Sequence, residues 1–410
     1  MTSKQTSFPK EKIRVLLLEG LHPISISRLQ EEGFKVETHK GAMSEEELLE
    51  VIGGVHLLGI RSKTDISARV IRKGKRLLSI GAFCIGTNQI DVHTAKSHGI
   101  PVFNAPYSNT RSVAELVIAD IIMLFRGLFD KVRDAHEGEW SKSASGSVEV
   151  RGKTLGIVGY GHIGRQVSVL AEALGMRVIF YDIADRLAMG NAIRAVDLRD
   201  VCEQADVITL HVPGTPDTKG MITAEKIGWM KKGAFLINTS RGSVVDLNAL
   251  REAIMSKKLA GAAVDVFPEE PKSKAERFTT PLQHLPNVVL TPHIGGSTEE
   301  AQRNIGLEVA GKMIRFTNNG STEGAVNFPN VVLPELVEHH RILHVHENVP
   351  GVLQKVNALF GDARINVAAQ HLRTYEDIGY LIMDISKTAT GKIMQSLKDL
   401  PETIKVRALF

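Results

Sequence analysis

The segment from Leu155 to Asp182 constrains the fold more than any other part of the chain. A strand-like run, Leu155–Val158, leads straight into Gly159-Tyr160-Gly161-His162-Ile163-Gly164, and a helix-like run extends from there to Leu174. The next strand-like run ends at Asp182. G-x-G-x-x-G alone is a weak signal. Placed between a strand and a helix, with an acid about twenty residues on, it describes the first unit of a dinucleotide-binding domain. The first glycine permits the tight turn, the second lets backbone approach a pyrophosphate, and the third lets helix and strand pack closely. The phosphates then meet free N–H groups at the positive end of the helix dipole. Asp182 would accept hydrogen bonds from the adenosine ribose, and its charge repels a 2′-phosphate. No Arg or Lys occupies the two positions after it, so NAD is expected over NADP.

The alternation continues on both sides. Strand-like runs at Leu155–Val158, Val178–Tyr181, Val207–His211, Phe235–Asn238, Ala262–Val266 and Val288–Leu290 are separated by helix-like ones, giving six strands of a Rossmann-type doubly wound parallel sheet. Before them, Val15–Leu18, Val36–His39, Leu57–Ile60 and Leu78–Ile80 alternate with helical stretches, again the pattern of a parallel α/β layer. Ser112–Phe129 reads as one long helix, and Thr298–Phe316 as another that ends at the polar break Thr317–Ser321. The tail reads strand Ile342–His346, helix Val352–Phe360, strands Ile365–Leu372 and Gly379–Ile385, helix Ile393–Leu400 and strand Ile404–Leu409. That β-α-β-β-α-β order is the ferredoxin-like one. By analogy, 1–108 with 297–330 form a discontinuous substrate-binding domain, 109–296 the NAD-binding domain, and 338–410 a regulatory domain.

Composition narrows the function classes. At 410 residues the chain is too long for one ordinary core. The most apolar stretch, Val113–Phe125, is interrupted by Glu115 and Asp120 and reads as a buried helix. The N-terminal residues are polar and do not look like a secretory signal. Two cysteines, Cys84 and Cys202, lack metal-type spacing, which suits a cytoplasmic protein with two small buried thiols and no metal. The net charge of +4 is modest, and the cluster Arg69, Arg72, Lys73, Lys75 and Arg76 reads as a solvated helix face, so neither nucleic acid nor membrane is an expected partner.

Three segments downstream of the glycine loop, Asn238-Thr239-Ser240-Arg241-Gly242, Val264-Asp265-Val266-Phe267-Pro268-Glu269-Glu270-Pro271 and Thr291-Pro292-His293-Ile294-Gly295-Gly296, each begin where a strand ends. Together they resemble the D-isomer-specific 2-hydroxyacid dehydrogenase family over about Val15 to Phe328. The resemblance implies hydride transfer from a secondary alcohol to nicotinamide, with His293 as general base, Glu270 orienting its ring, and Arg241 holding the substrate carboxylate and polarising the C2 oxygen. It also carries Thr239, Ser240, Arg241, Asp265, His293, Gly295 and Gly296 into the cofactor site beside Gly159, Gly161, His162, Ile163, Gly164 and Asp182.

Further segments narrow the resemblance to the phosphoglycerate-oxidising branch of the family. They are Arg61-Ser62-Lys63-Thr64, the run Gly81–Asp91 and the run Phe103–Ser112. They imply a flavodoxin-like substrate domain in which Arg61, Ser62 and Asn109 contact a phosphate and the backbone of Ile85 and Gly86 meets the carboxylate. The reaction implied opens L-serine synthesis, with 2-oxoglutarate reduction as a side activity. His346-Glu347-Asn348-Val349-Pro350-Gly351-Val352-Leu353 resembles the strand-to-helix turn of the ACT amino-acid-binding modules. There His346, Asn348 and Asn366 would bind L-serine between paired domains, which implies a homo-oligomer, a tetramer by resemblance. A D-lactate-type dehydrogenase is the alternative enzyme, and an NAD-sensing corepressor the alternative binding protein. Turnover of small hydroxy acids separates the two classes.

Overall fold

The computed structural model describes residues 8–271, 276–336, 339–386 and 390–410. The chain divides into two compact units, residues 1–108 with 302–410, and residues 109–301.

The first unit contains a five-stranded parallel sheet of β1 (Arg14–Leu17), β2 (Lys35–Thr38), β3 (Leu57–Ile60), β4 (Ser79–Ala82) and β5 (Val102–Phe103). Its order, β2-β1-β3-β4-β5, is the flavodoxin-like one. β3 and β4 are buried along their whole length, because helices cover both faces of a parallel sheet. On one face Leu48, Ile52, Val70 and Ile71 pack against Leu58, Ile60 and Ile80. On the other, Ile305, Val309 and Met313, from the helix Glu299–Asn319, pack against Val15, Leu17 and Phe103. That helix runs further than expected, through the start of the polar break, with the Thr317 hydroxyl turned back to the Met313 carbonyl at 2.7 Å.

The second unit holds seven parallel strands, one more than the sequence pattern suggests: β6 (Thr154–Val158), β7 (Arg177–Tyr181), β8 (Ile193–Arg194), β9 (Val207–Leu210), β10 (Ala234–Asn238), β11 (Leu259–Val264) and β12 (Val288–Leu290). β8 is a two-residue exposed edge, too short to leave a periodicity. The order β12-β11-β10-β9-β6-β7-β8 reverses direction between β6 and β9, and that switch point is where open sheets bind ligands. The single long helix expected over Ser112–Phe129 is two helices, Thr110–Arg126 and Leu128–His136, broken at Gly127. Gly127 sits at φ +55°, a left-handed C-cap that an apolar pattern does not reveal.

The tail adds, within the first unit, an antiparallel sheet of β13 (His340–Glu347), β14 (Val367–Tyr375), β15 (Ile378–Ile385) and β16 (Thr403–Leu409), in the order β14-β15-β13-β16. One face packs on the helices Val352–Asp362 and Thr390–Lys398, through Val352, Val356, Phe360, Ile393 and Leu397. The other is covered by Phe328, Val331 and Leu333 from the preceding connection. Arg341, 1% exposed, pins that connection: it donates to both Asp384 oxygens at 2.6 and 2.7 Å and to the carbonyls of Asn319 and Pro334.

Candidate active site

The glycine loop opens the helix His162–Ala173 directly after β6. Gly159 has φ +92°, and a Cβ there would stand 2.5 Å from the His211 carbonyl at the end of β9. A Cβ on Gly164 would stand 2.4 Å from the Gly159 carbonyl, whereas one on Gly161 meets nothing within 4 Å. The first and third glycines are thus demanded by the protein's own packing, and the second leaves an open face where a diphosphate can approach. Asp182, one residue beyond β7, accepts from the N–H groups of Tyr160 and Ala184, both at 2.8 Å, so it fixes the glycine loop. Arg186 Nε lies 3.6 Å from the same carboxylate, a cation that sequence reading overlooked because it comes four residues later. These residues fit a dinucleotide.

The loops after β10, β11 and β12 carry Arg241, Glu270 and His293. Asn238 folds the first: its Oδ1 accepts from the N–H and hydroxyl of Ser240, and its Nδ2 donates to the Arg241 carbonyl. Thr239 is 9% exposed, and among the described residues its hydroxyl has no hydrogen-bond partner. Arg241 donates to the Ser240 carbonyl at 2.6 Å. Asp265, 2% exposed, accepts from the Thr291 hydroxyl at 2.6 Å, Ile294 N–H at 2.8 Å and Gly295 N–H at 2.9 Å, while its own carbonyl accepts His293 N–H. Three bonds to one carboxylate set the turn on which His293 is held at φ +54°, a left-handed conformation rare for a residue with a Cβ. The sequence suggested Asp265 as a cofactor contact. Its role as anchor of the turn was not legible, since the bonds span more than twenty residues and leave no periodic mark.

That turn brings His293 to Glu270. Nδ1 of the ring and Oε2 of the carboxylate are 2.8 Å apart, and Glu270 Oε1 accepts Phe267 N–H at 3.1 Å. The hydrogen bond to Glu270 raises the imidazole above its ordinary range, against burial and Arg241, which lower it. For Glu270, burial pushes the carboxyl up but is outweighed by the bonds from His293 and Phe267 N–H, so it stays low and charged. Beneath Asp265 lies Asp120, 3% exposed in the helix Thr110–Arg126. Burial, then the charge of Asp265, raises it to about 7. In the sequence it shows only as a break in an apolar run.

The chain matches the model described as the NAD binding domain of D-isomer specific 2-hydroxyacid dehydrogenases over residues 118–295, and an ACT domain model, of the acetohydroxyacid-synthase small-subunit type, over 342–405. It is 51% identical over 409 residues to a protein of Escherichia coli (strain K12) named D-3-phosphoglycerate dehydrogenase, covering 99% of this chain and all of that one. The chain belongs to the D-isomer specific 2-hydroxyacid dehydrogenase family. A Dictyostelium discoideum relative of the same name is 49% identical over 405 residues, with 99% of each chain covered. Among solved structures, a Thermus thermophilus protein superposes with a TM-score of 0.70 at 31% identity, covering 77% of this chain and all of that one. A D-lactate dehydrogenase from Aquifex aeolicus, complexed with NAD and lactic acid, superposes at 0.67 with 27% identity and the same coverage. The chain is therefore an NAD-dependent dehydrogenase, with an ACT-type domain at its C-terminal end.

The other expected residues of the dehydrogenase fall into separate places. Arg61 and Ser62 follow β3, and Ile85 and Gly86 follow β4, at neighbouring strand ends in the first unit. Cys84 is not a passive apolar filler: its half-buried Sγ lies 3.2 Å from the Arg61 carbonyl and 3.1 Å from the Gly86 carbonyl, either of which can accept its one hydrogen. Cys202 is buried as expected, and burial pushes its thiol up to about 11. Asn109 begins the second unit, 7% exposed, at the N-terminus of the helix Thr110–Arg126. In the tail, His346 is 3% exposed, with Nδ1 on the Glu347 carbonyl at 2.8 Å, and Asn348 donates to the Glu376 carbonyl at 3.1 Å. Those two share one end of the sheet. Asn366 is exposed just before β14, beside the opposite end. Among the described residues, no helix is long and apolar enough to cross a membrane.

Proposed function

We propose that this dehydrogenase oxidises 3-phospho-D-glycerate to 3-phosphooxypyruvate with NAD, the entry to L-serine synthesis, and is restrained by L-serine bound to its C-terminal domain. The observation that carries the chemistry is the Glu270–His293 pair on its left-handed turn; full-length similarity to proteins named for phosphoglycerate supports the substrate. NAD supplies the hydride acceptor, beside Gly159, Gly161, His162, Ile163 and Gly164 at its diphosphate, Asp182 at its ribose, and Thr239, Ser240, Asp265, Gly295 and Gly296 towards the nicotinamide. With Nδ1 committed to Glu270, Nε2 of His293 takes the C2 hydroxyl proton as the C2 hydride leaves. Glu270 then stabilises the imidazolium, and in the reverse direction His293 returns the proton. Arg241 holds the carboxylate and the C2 oxygen. Arg61, Ser62 and Asn109 receive the phosphate, and the Ile85–Gly86 backbone the carboxylate. Reduction of 2-oxoglutarate is a side activity of the same groups.

His346, Asn348 and Asn366 are the effector residues. The domains follow as 1–108 with 297–330 for substrate, 109–296 for NAD and 338–410 for regulation, in a cytoplasmic homotetramer. Leu128, Phe129 and Val132, exposed apolar side chains spaced along the helix Leu128–His136, support self-association. The test is the initial rate of NADH formation from 3-phosphoglycerate and NAD, with and without L-serine. Turnover that falls as serine rises is the expected result. Turnover indifferent to serine removes the effector assignment, and no turnover in either direction removes the substrate.

A further inference from the structure

Four consecutive backbone N–H groups in the first unit converge on one side chain that the reaction above does not use. Arg61 and Thr64 donate to Oε1 of Glu19 at 3.2 and 2.9 Å, and Ser62 and Lys63 donate to Oε2 at 3.0 and 2.9 Å. Glu19 follows β1, and the 61–64 loop follows β3. In the order β2-β1-β3-β4-β5 those strands flank the switch point, where such sheets take anionic ligands. A run of N–H groups pointing one way is itself an anion-binding concavity. Here the chain's own carboxylate fills it. Glu19 is held there at φ +67°, with its N–H on the Gly41 carbonyl at 3.0 Å, an uncommon backbone state that marks a constrained position.

The same loop is tied to the next one. The Arg61 carbonyl accepts from Gln89 Nε2 at 2.6 Å and lies 3.2 Å from Cys84 Sγ, which is also 3.1 Å from the Gly86 carbonyl. Glu19, the 61–64 loop and the Ile85–Gly86 turn therefore form one hydrogen-bonded assembly. We propose that Glu19 is a positioning residue for the substrate phosphate. By saturating the loop's N–H groups it leaves the Arg61 guanidinium and the Ser62 hydroxyl as the phosphate donors, and it fixes their spacing from the backbone that meets the carboxylate. The proposal rests on the assignment of Arg61 and Ser62 to the phosphate.

Glu19→Gln is the test. The amide keeps the shape but has one acceptor oxygen, and it turns an NH2 towards two of the four N–H groups. The KM for 3-phosphoglycerate should rise by about tenfold or more, the loss expected when a charge-assisted hydrogen bond is removed, and by more than any fall in kcat. The KM for NAD should stay within about twofold, which a general loss of structure would not allow. An unchanged KM for phosphoglycerate, or equal rises for both substrates, overturns the proposal. Arg61→Ala run alongside separates the two readings. If Arg61→Ala raises the KM and Glu19→Gln does not, Glu19 is wrong and the phosphate assignment stands. If Arg61→Ala leaves it unchanged, the phosphate assignment itself is wrong and the proposal falls with it. Should Glu19→Gln fail to fold, amide hydrogen exchange in the unaltered protein decides: slow exchange at Ser62, Lys63 and Thr64 is expected, and exchange at open-loop rates overturns it.

Discussion

Glu270→Gln separates the charge of the dyad from its shape. Glu270 Oε2 and His293 Nδ1 are 2.8 Å apart, with 37% and 53% of the two side chains exposed. Opposite charges about 4 Å apart attract by about 1 kcal/mol in water and about 4 kcal/mol at an effective dielectric of 20, and a pair this exposed belongs near the lower figure. Glutamine still accepts the Nδ1 hydrogen but cannot offer a second acceptor to Phe267 N–H. Together these place the lost stabilisation of the imidazolium at about 1–2 kcal/mol, a fall in kcat of about five- to thirtyfold. The pH profile carries the sign. Glu270 raises the imidazole, so its removal lowers it. Oxidation needs neutral His293, and the acid limb of its kcat/KM profile should move to lower pH. Reduction needs the protonated ring, and its alkaline limb should move the same way. Initial rates of NADH formation and consumption across the neutral range measure both. A fall in kcat with both limbs unmoved would refute the electrostatic part of the argument. No change in either would remove Glu270 from the site.

Three other outcomes follow from single contacts. Gly159→Ala sets a Cβ against the His211 carbonyl at a φ of +92°, so NADH binding by fluorescence titration should be lost, and retained affinity would contradict the loop geometry. Arg341→Ala leaves Asp384 facing a cavity without its partner and should destabilise the C-terminal domain by about 3–5 kcal/mol in chemical unfolding, the usual cost of breaking a buried pair; a loss under about 1 kcal/mol would show that water reaches it. Asn348→Ala should weaken serine inhibition while turnover without serine persists, and unchanged inhibition would argue against the effector site.

What could be read from the sequence was what is local or periodic. The glycine loop is legible because strand, turn and helix are contiguous and each glycine answers a separate steric demand. The order of the tail is legible because its strands are long, seven to nine residues each. β5 and β8 have two residues each and fall below that threshold. The break at Gly127 is hidden because its flanks are apolar on both sides, as in an unbroken helix. Arg241, Glu270 and His293 came from family resemblance, and no residue-level pattern would have joined them. Two carboxylate roles were not legible because the bonds span distant parts of the chain: Asp265, expected only as a cofactor contact, also anchors the His293 turn, and Glu19 anchors the Arg61 loop.

The tail poses a geometric condition that its sequence could not show. β13 and β14 run in the same direction on either side of β15. His346 stands opposite Gly379, while Val367, the neighbour of Asn366, stands opposite Ile385. Those positions on β15 are separated by six steps of strand (385 − 379), about 20 Å at the usual rise per residue. One L-serine cannot touch both His346 and Asn366 of the same chain. If all three residues act on one effector, a second copy must bring its Asn366 to the His346–Asn348 end, and β14, an edge strand with mostly exposed side chains, leaves Asn366 accessible for that. Serine affinity should then depend on protein concentration. Diluted until it dissociates, the dehydrogenase should lose serine binding by calorimetry before it loses NADH binding. Dissociated protomers that bind serine with undiminished affinity would exclude Asn366 from the effector site and leave His346 and Asn348 to act alone.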